Sequence, residues 1–277
     1  MKVTVIIENK SYRENLLCQY GLSLFVETVG GTVLLDAGSD ESAFLNFNNL
    51  GLSAIDIDAI VISHNHFDHF GGAPFFIENS NATVYISSAA NNEYCVKSFL
   101  RRRQIVSRTE IIKKYPNRFH FVDNQTEILP GVYVCRIQNA DKKFFCKDRR
   151  LKQIDEKGLL QDDFSHEVYL SVIEDGKCKI LSSCSHNGIV NIISDAKHRF
   201  PDYPCTAFVG GLHMRGRKSN SINCTQKYAD LVFSAVETVG TSTVYTGHCT
   251  GKKAYRLLRS HSRIDAHYFS TGDTFVL

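Results

Sequence analysis

Apolar and polar positions near the start of the chain follow a β pattern. Two runs, residues 22–28 and 32–36, are rich in β-branched and large apolar side chains, separated by Val29-Gly30-Gly31 and stopped by Ala37-Gly38, a hairpin signal. A helical period follows over residues 42–50, and residues 57–62 form a β-branched apolar run that reads as a buried strand. Further strands are predicted at 83–86, 132–137, 169–174, 179–182, 206–209 and 243–245, with 266–269 and 274–277 extended at the end. Helices are predicted at 188–197, 226–239 and 251–258. Strands dominate first and then alternate with helices, a succession that predicts an α/β layered domain with mixed sheets. Nothing marks a linker, so residues 1–277 read as a single domain. The stretch from about 97 to 163 is less patterned and reads as a cap or substrate-loop region. Its basic runs, among them Arg101-Arg102-Arg103, have a solvated charged face as their plainer explanation. Met214 and the aromatic residues around Phe75, Phe76 and Phe99 are expected in the core or under the cap.

Four of the apolar strands run through small residues into a histidine: Val61-Ile62-Ser63-His64, Leu181-Ser182-Ser183-Cys184-Ser185-His186, Phe208-Val209-Gly210-Gly211-Leu212-His213 and Val244-Tyr245-Thr246-Gly247-His248. Strands of a twisted sheet present their carboxyl ends along one edge, where loops converge and ligands bind. The four histidines are therefore expected to meet.

Composition narrows the classes. With 43% hydrophobic and 22% charged residues the chain has material for a sizeable core, and a formal charge of +3 is too mild for nucleic-acid binding. No apolar stretch has the length of a membrane span, and the start, Met1-Lys2-Val3-Thr4-Val5-Ile6-Ile7-Glu8, lacks the length and cleavage site of a signal peptide. Nine cysteines, an odd number without a paired framework, suit a reducing compartment. The expectation is a cytoplasmic protein acting on a small molecule, with no membrane and no nucleic acid; the oligomeric state is left open.

The chemistry lies in His64-Asn65-His66-Phe67-Asp68-His69, three imidazoles and a carboxylate in six residues. These are ligand types of zinc, iron and manganese at hydrolytic sites. Alternate residues of an extended segment share a direction, so His64 and His66 are expected to grip one metal while Asp68 and His69, past a turn, face a second. Gly71-Gly72 is expected to let the backbone turn sharply behind them.

His-x-His-x-Asp-His after a buried strand resembles the metal motif of the metallo-β-lactamase superfamily. Leu34-Leu35-Asp36-Ala37-Gly38 is similar to that family's early Asp-x-Gly element, and Tyr245-Thr246-Gly247-His248 to its last metal-binding histidine. More narrowly, the segments around Cys184-Ser185-His186, Gly210-Gly211-Leu212-His213 and His248-Cys249-Thr250-Gly251 resemble a prokaryotic subgroup labelled as similar to the dihydropterin ribofuranosyl-aminobenzene phosphate synthase of methanopterin biosynthesis.

The resemblance implies a four-layer αβ/βα sandwich with two divalent cations at one edge, zinc first, with iron or manganese as the other candidates. It assigns His64 and His66 to the first cation, and Asp68, His69 and His248 to the second. The third imidazole of the first cation stays open between His166, which precedes a strand, and His186; Cys184 is a candidate bridging thiolate or else a buried apolar cysteine. Asp36 is expected to orient a ligand histidine. His213 is a candidate proton donor or substrate contact, or else a support behind the ligands, and Arg215 and Arg217 are candidates for holding a phosphate or carboxylate of the substrate, with a solvated loop as their plainer explanation. The activity implied is hydrolysis of a small ester-type substrate, phosphoester or lactone, with Asp68 also orienting the water. Two alternatives stand beside it: a pterin-type synthase or transferase releasing diphosphate, and a di-iron redox module.

Overall fold

The computed structural model describes residues 1–89, 93–98, 101–104, 108–155, 158–218 and 220–277, so Phe99 falls outside the described residues. Two seven-stranded sheets carry the fold. The first runs, edge to edge, Thr274–Val276, Lys2–Ile7, Ser23–Thr28, Gly31–Leu35, Ala59–Val61, Thr83–Ser87 and Phe119–Val122. The second runs Asp265–Tyr268, Thr243–Thr246, Cys205–Val209, Lys177–Leu181, Val168–Glu174, Val132–Arg136 and Gln125–Leu129. Both mix parallel and antiparallel pairs.

Strand periodicity explains the layering, because successive side chains point to opposite faces of a sheet. Leu24, Val26, Val33, Leu35, Ala59 and Val61 from the first sheet meet Val134, Leu170, Val172, Leu181 and Val209 from the second in one buried cluster. The alternating residues Phe25, Leu34, Ile60 and Ile62 face helices Ser42–Asn49 and Ala73–Asn79. On the far side, Tyr169, Ile180 and Phe208 face helices Ile189–Arg199, Gln226–Val239 and Gly251–Arg259. The order is helix, sheet, sheet, helix, the four-layer sandwich. No helix among the described residues is long and apolar enough to cross a membrane.

Three differences from the sequence reading have physical causes. Lys2–Ile7 is a strand, wedged between Ser23–Thr28 and Thr274–Val276, with Val3 and Val5 facing the inter-sheet core. The histidine segment is extended only as far as His66 (φ −98°, ψ 147°); Phe67–Phe70 is a helical turn, closed by the His69 and Phe70 amides donating to the His66 carbonyl at 3.1 Å. Gly71 and Gly72 do turn the chain, but with the right-handed dihedrals of a type I turn that any residue can adopt, so the turn does not need glycine's backbone freedom. They are needed for room: a Cβ at Gly71 would lie 1.9 Å from the Ser39 carbonyl oxygen, and one at Gly72 would lie 2.1 Å from that of Ala37.

A small third sheet, Gly158–Gln161, Leu151–Asp155, Glu93–Ser98 and Arg101–Gln104, falls within or beside the stretch read as a cap region. Register places the edge that matters. Leu35 pairs with Val61, Leu181 with Val209, and Val209 with Tyr245, all in parallel, so these strands end level with one another. The segments that follow them carry Asp36, His64, Cys184, His186, His213 and His248.

Candidate metal centre

Asp36 organises one half of the cluster. It is fully buried with φ 60°, a conformation uncommon for a residue other than glycine. Its Oδ1 accepts from the Ser63 amide and its Oδ2 from the Ser63 hydroxyl, both at 2.7 Å; Oδ2 also accepts from His69 Nδ1 at 2.6 Å. Because the Ser63 hydroxyl donates to Asp36, it is left to accept from His64 Nδ1 at 2.7 Å. One carboxylate thus fixes both imidazoles with the proton on Nδ1, leaving each Nε2 lone pair facing inward.

Those nitrogens converge on further donors. His64 Nε2 lies 3.3 Å from His186 Nε2, and His69 Nε2 lies 3.2 Å from Cys184 Sγ and 3.4 Å from Asp68 Oδ2. His248 holds its Nδ1 3.2 Å from the Asn9 side-chain oxygen, and its buried Nε2, 3.5 Å from Asp68 Oδ2, has no hydrogen-bond partner among the described residues. His64, His66 and His186 form one group whose donor atoms lie within 4.8 Å of one another; His64, His69 and Cys184 form another.

Electrostatics fit cations. Burial first, and then the neighbouring imidazoles, push His64 and His186 well below the usual histidine range, so both are neutral donors. Burial opposes charge on Asp68, but His69 and His248 outweigh it and hold the carboxyl well below its usual range. Burial likewise opposes charge on His69, yet Asp68 and Asp36 raise it to about 10. A divalent cation would take the place of that His69 proton. Neutral imidazoles, one carboxylate and one thiol aimed at common points, with an orphaned buried nitrogen among them, make a donor set that could hold metal ions.

His166 is placed differently from its rival His186. The Asn65 amide donates to His166 Nδ1 at 3.0 Å, so the ring proton sits on Nε2, which faces Asp162 at 3.2 Å. Both ring nitrogens are used by the protein. His186 has a buried Nδ1 without a hydrogen-bond partner among the described residues, stacks on Phe164 at 4.7 Å, and is held by its amide donating to Glu167 at 2.7 Å. His213, at φ 44°, brings its ring to 4.3 Å from His186 and its Nε2 to 3.8 Å from Asp148. Burial disfavours its charge, but Cys146 and Asp148 hold it well above the usual histidine range. Arg215 and Arg217 lie on the other flank, lining a cavity of about 520 Å³ that also touches His248. Met214 and Phe76 are buried in the core as expected.

The sequence reading missed Ser63, Asp162, Glu167, Asn9 and Asp148, all of which touch a site histidine. Asp162 could have been suspected, standing one helical turn's spacing before His166. Nothing in the pattern singles out Asn9 or Asp148.

The model of the metallo-β-lactamase superfamily matches residues 17–132, which include the whole histidine segment. The chain is 25% identical over 290 residues to the 7,8-dihydropterin-6-methyl-4-(β-D-ribofuranosyl)-aminobenzene-5'-phosphate synthase of Methanocaldococcus jannaschii, covering 98% of this chain and 95% of the relative. A metal-dependent hydrolase of the β-lactamase superfamily superposes with a TM-score of 0.83 at 21% identity, over 100% of this chain and 99% of the other. Zinc-bound PqqB from Methylobacterium extorquens superposes at 0.62 and 12% identity over the full length of both. The motif, the family model over residues 17–132, the full-length relative and the four-layer fold all point the same way: the chain is similar to the metallo-β-lactamase superfamily.

Proposed function

We propose that this chain is a metal-dependent hydrolase of small ester-type substrates, working at a dinuclear centre. The observation that carries the reading is the convergence of His64 Nε2 and His186 Nε2 to 3.3 Å, two neutral donors aimed at one point. His64, His66 and His186 would hold the first cation, and Asp68, His69 and His248 the second, with Cys184 able to supply a thiolate donor. His166 acts instead as a buried prop that fixes Asn65 and Asp162. Zinc suits the mixture of imidazole, carboxylate and thiolate, with iron and manganese as the other candidates.

Bound cations supply Lewis acidity and lower the pKa of water toward about 7. The chain's own residues do the rest. Asp36 holds the tautomers of His64 and His69, and the Asp68 carboxylate accepts a hydrogen bond from the attacking water. His213, protonated beside Asp148, gives its proton to the leaving oxygen as the ester bond breaks. Arg215 and Arg217 hold an anionic group of the substrate. The small third sheet covers this edge, with Tyr94 set 3.9 Å from the His166 ring. The eight described cysteines are free, which suits the cytoplasm as the place of action.

A second reading has one observation in its favour, the full-length similarity to a synthase. On that reading the same residues serve a pterin-type transfer that releases diphosphate. A product assay on phosphodiester, lactone and synthase substrates separates the two. Hydrolysis without an acceptor, abolished by His64→Ala and Asp68→Ala, supports the first; turnover only with an acceptor, with diphosphate released, replaces it by the second.

A further inference from the structure

Six cationic side chains, Lys10, Arg215, Arg217, Lys218, Lys252 and Arg256, line the cavity of about 520 Å³ beside His248, and no carboxylate lines it among the described residues. The chain as a whole nearly balances its 32 lysines and arginines with 29 acidic residues, whereas this recess gathers cations with no carboxylate among its described lining. Among the described residues, the hydrogen-bond partners of Lys10 and Arg256 are neutral. Lys10 donates to the Tyr268 hydroxyl at 2.9 Å and lies 4.1 Å over that ring; Arg256 donates to the Asn220 side-chain oxygen at 3.2 Å; Arg215 sits 5.9 Å over the Tyr20 ring. Burial, and then the charges of Lys252 and Arg215, push Lys10 below the usual lysine range despite the nearby Glu8. Uncompensated like charges held together cost free energy that an anion would relieve.

The backbone is arranged to the same end. Gly251, at φ 74°, opens helix Gly251–Arg259, and a Cβ there would meet Arg215 Cβ and Cγ at 3.1 Å. Its bareness lets Arg215 lie across the helix start, whose amides and dipole also favour an anion. A recess of this volume is the size of a small-molecule site, and a single carboxylate would need one or two of the six cations.

We propose that this recess is a polyanion subsite that takes a diphosphate, or two phosphates of one small molecule, and presents the attached bond to the centre beside His248. Calling the ligand part of a substrate rests on the metal-centre reading above; the subsite itself does not. Guanidinium and ammonium groups together suit phosphate oxygens, with the arginines forking onto pairs of them.

The test is calorimetric titration of the full-length protein, as isolated and after chelation, with inorganic pyrophosphate, inorganic phosphate and citrate. Pyrophosphate is expected to bind at least tenfold more tightly than either of the others in both preparations. Replacing Lys252 and Arg256 together by alanine is expected to weaken it at least tenfold, whereas Lys252→Arg with Arg256→Lys retains it. Equal binding of citrate, affinity indifferent to the alanine pair, or binding lost on chelation alone would each overturn the subsite, the last because the anion would then sit on the cations. Metal content, and hydrolysis of an uncharged ester, measured on the same samples keep the two proposals apart. Pyrophosphate binding by a protein that takes up no metal sinks the hydrolase reading and leaves the subsite standing, and a metal-loaded, ester-cleaving protein that ignores pyrophosphate does the opposite.

Discussion

Asp36 and His69, thirty-three positions apart in sequence, meet through a 2.6 Å contact between two fully buried side chains. Their pairing sets which nitrogen of His69 faces the centre. Asparagine tolerates the left-handed backbone at this position but removes the charge, so Asp36→Asn is expected to weaken metal binding roughly 10–100-fold. Competition with a chromophoric chelator measures it, and an unchanged affinity would mean that the tautomer is fixed elsewhere.

His186 and His166 are expected to part company on substitution. His186→Ala should lower the metal content by about one equivalent per chain, because among the described residues no other unengaged imidazole faces His64 and His66. His166→Ala should keep both equivalents and lose thermal stability instead, since it unseats the Asn65 amide and Asp162. Elemental analysis decides; depletion by His166→Ala with retention by His186→Ala reverses the assignment.

His213→Gln is expected to lower kcat by about 10²- to 10⁴-fold, the usual span for a proton donor, with metal content and KM little changed. Substrates whose leaving group needs no protonation should recover most of the loss. Equal losses on good and poor leaving groups would reduce His213 to a positioning role.

Glu174 predicts a pH effect on stability away from the site. Burial opposes its charge, but Lys179 at 2.7 Å, the Met1 amine and the Val29 amide outweigh it and bring the carboxyl from 4.5 down to about 2. A depressed folded pKa gives stability that is fully present above about 4.5 and lost as pH falls toward about 2. Solvent screening reduces what such a shift is worth, so Glu174→Gln should cost on the order of 1 kcal/mol at pH 7 and almost nothing near pH 2. Urea unfolding of both proteins at several pH values measures this, and a cost independent of pH would contradict it.

Gly71→Ala forces a methyl group to 1.9 Å from the Ser39 carbonyl oxygen, and strain of this kind costs about 1–3 kcal/mol. The displaced turn carries Asp68 and His69, so metal affinity should fall along with the melting temperature. A stability loss with metal affinity untouched would show that the loop yields without moving them.

What the sequence made legible was whatever repeats locally. The helix at residues 226–239 could be read to the residue, because Thr225 caps its start, accepting from the Tyr228 amide, and left-handed Gly240 ends it. Strands running into His64, His186, His213 and His248 were visible because apolar runs stop at small residues. The choice between His166 and His186 was not, since it turns on which nitrogen an amide at Asn65 has already claimed. Asn9 and Asp148 were equally hidden: each acts through a neighbour far away in sequence. The helical turn at Phe67–Phe70 escaped because four residues are too few to show a period.

The donors brought together here come from stretches as distant as residues 64 and 248, and each reaches its place only when strands of both sheets are aligned. A growing or unfolded chain can offer a cation little more than the hexapeptide from His64 to His69. Metal capture at the proposed centre would accordingly be a late clasp in folding, one that rewards a finished sandwich and passes over a half-built one.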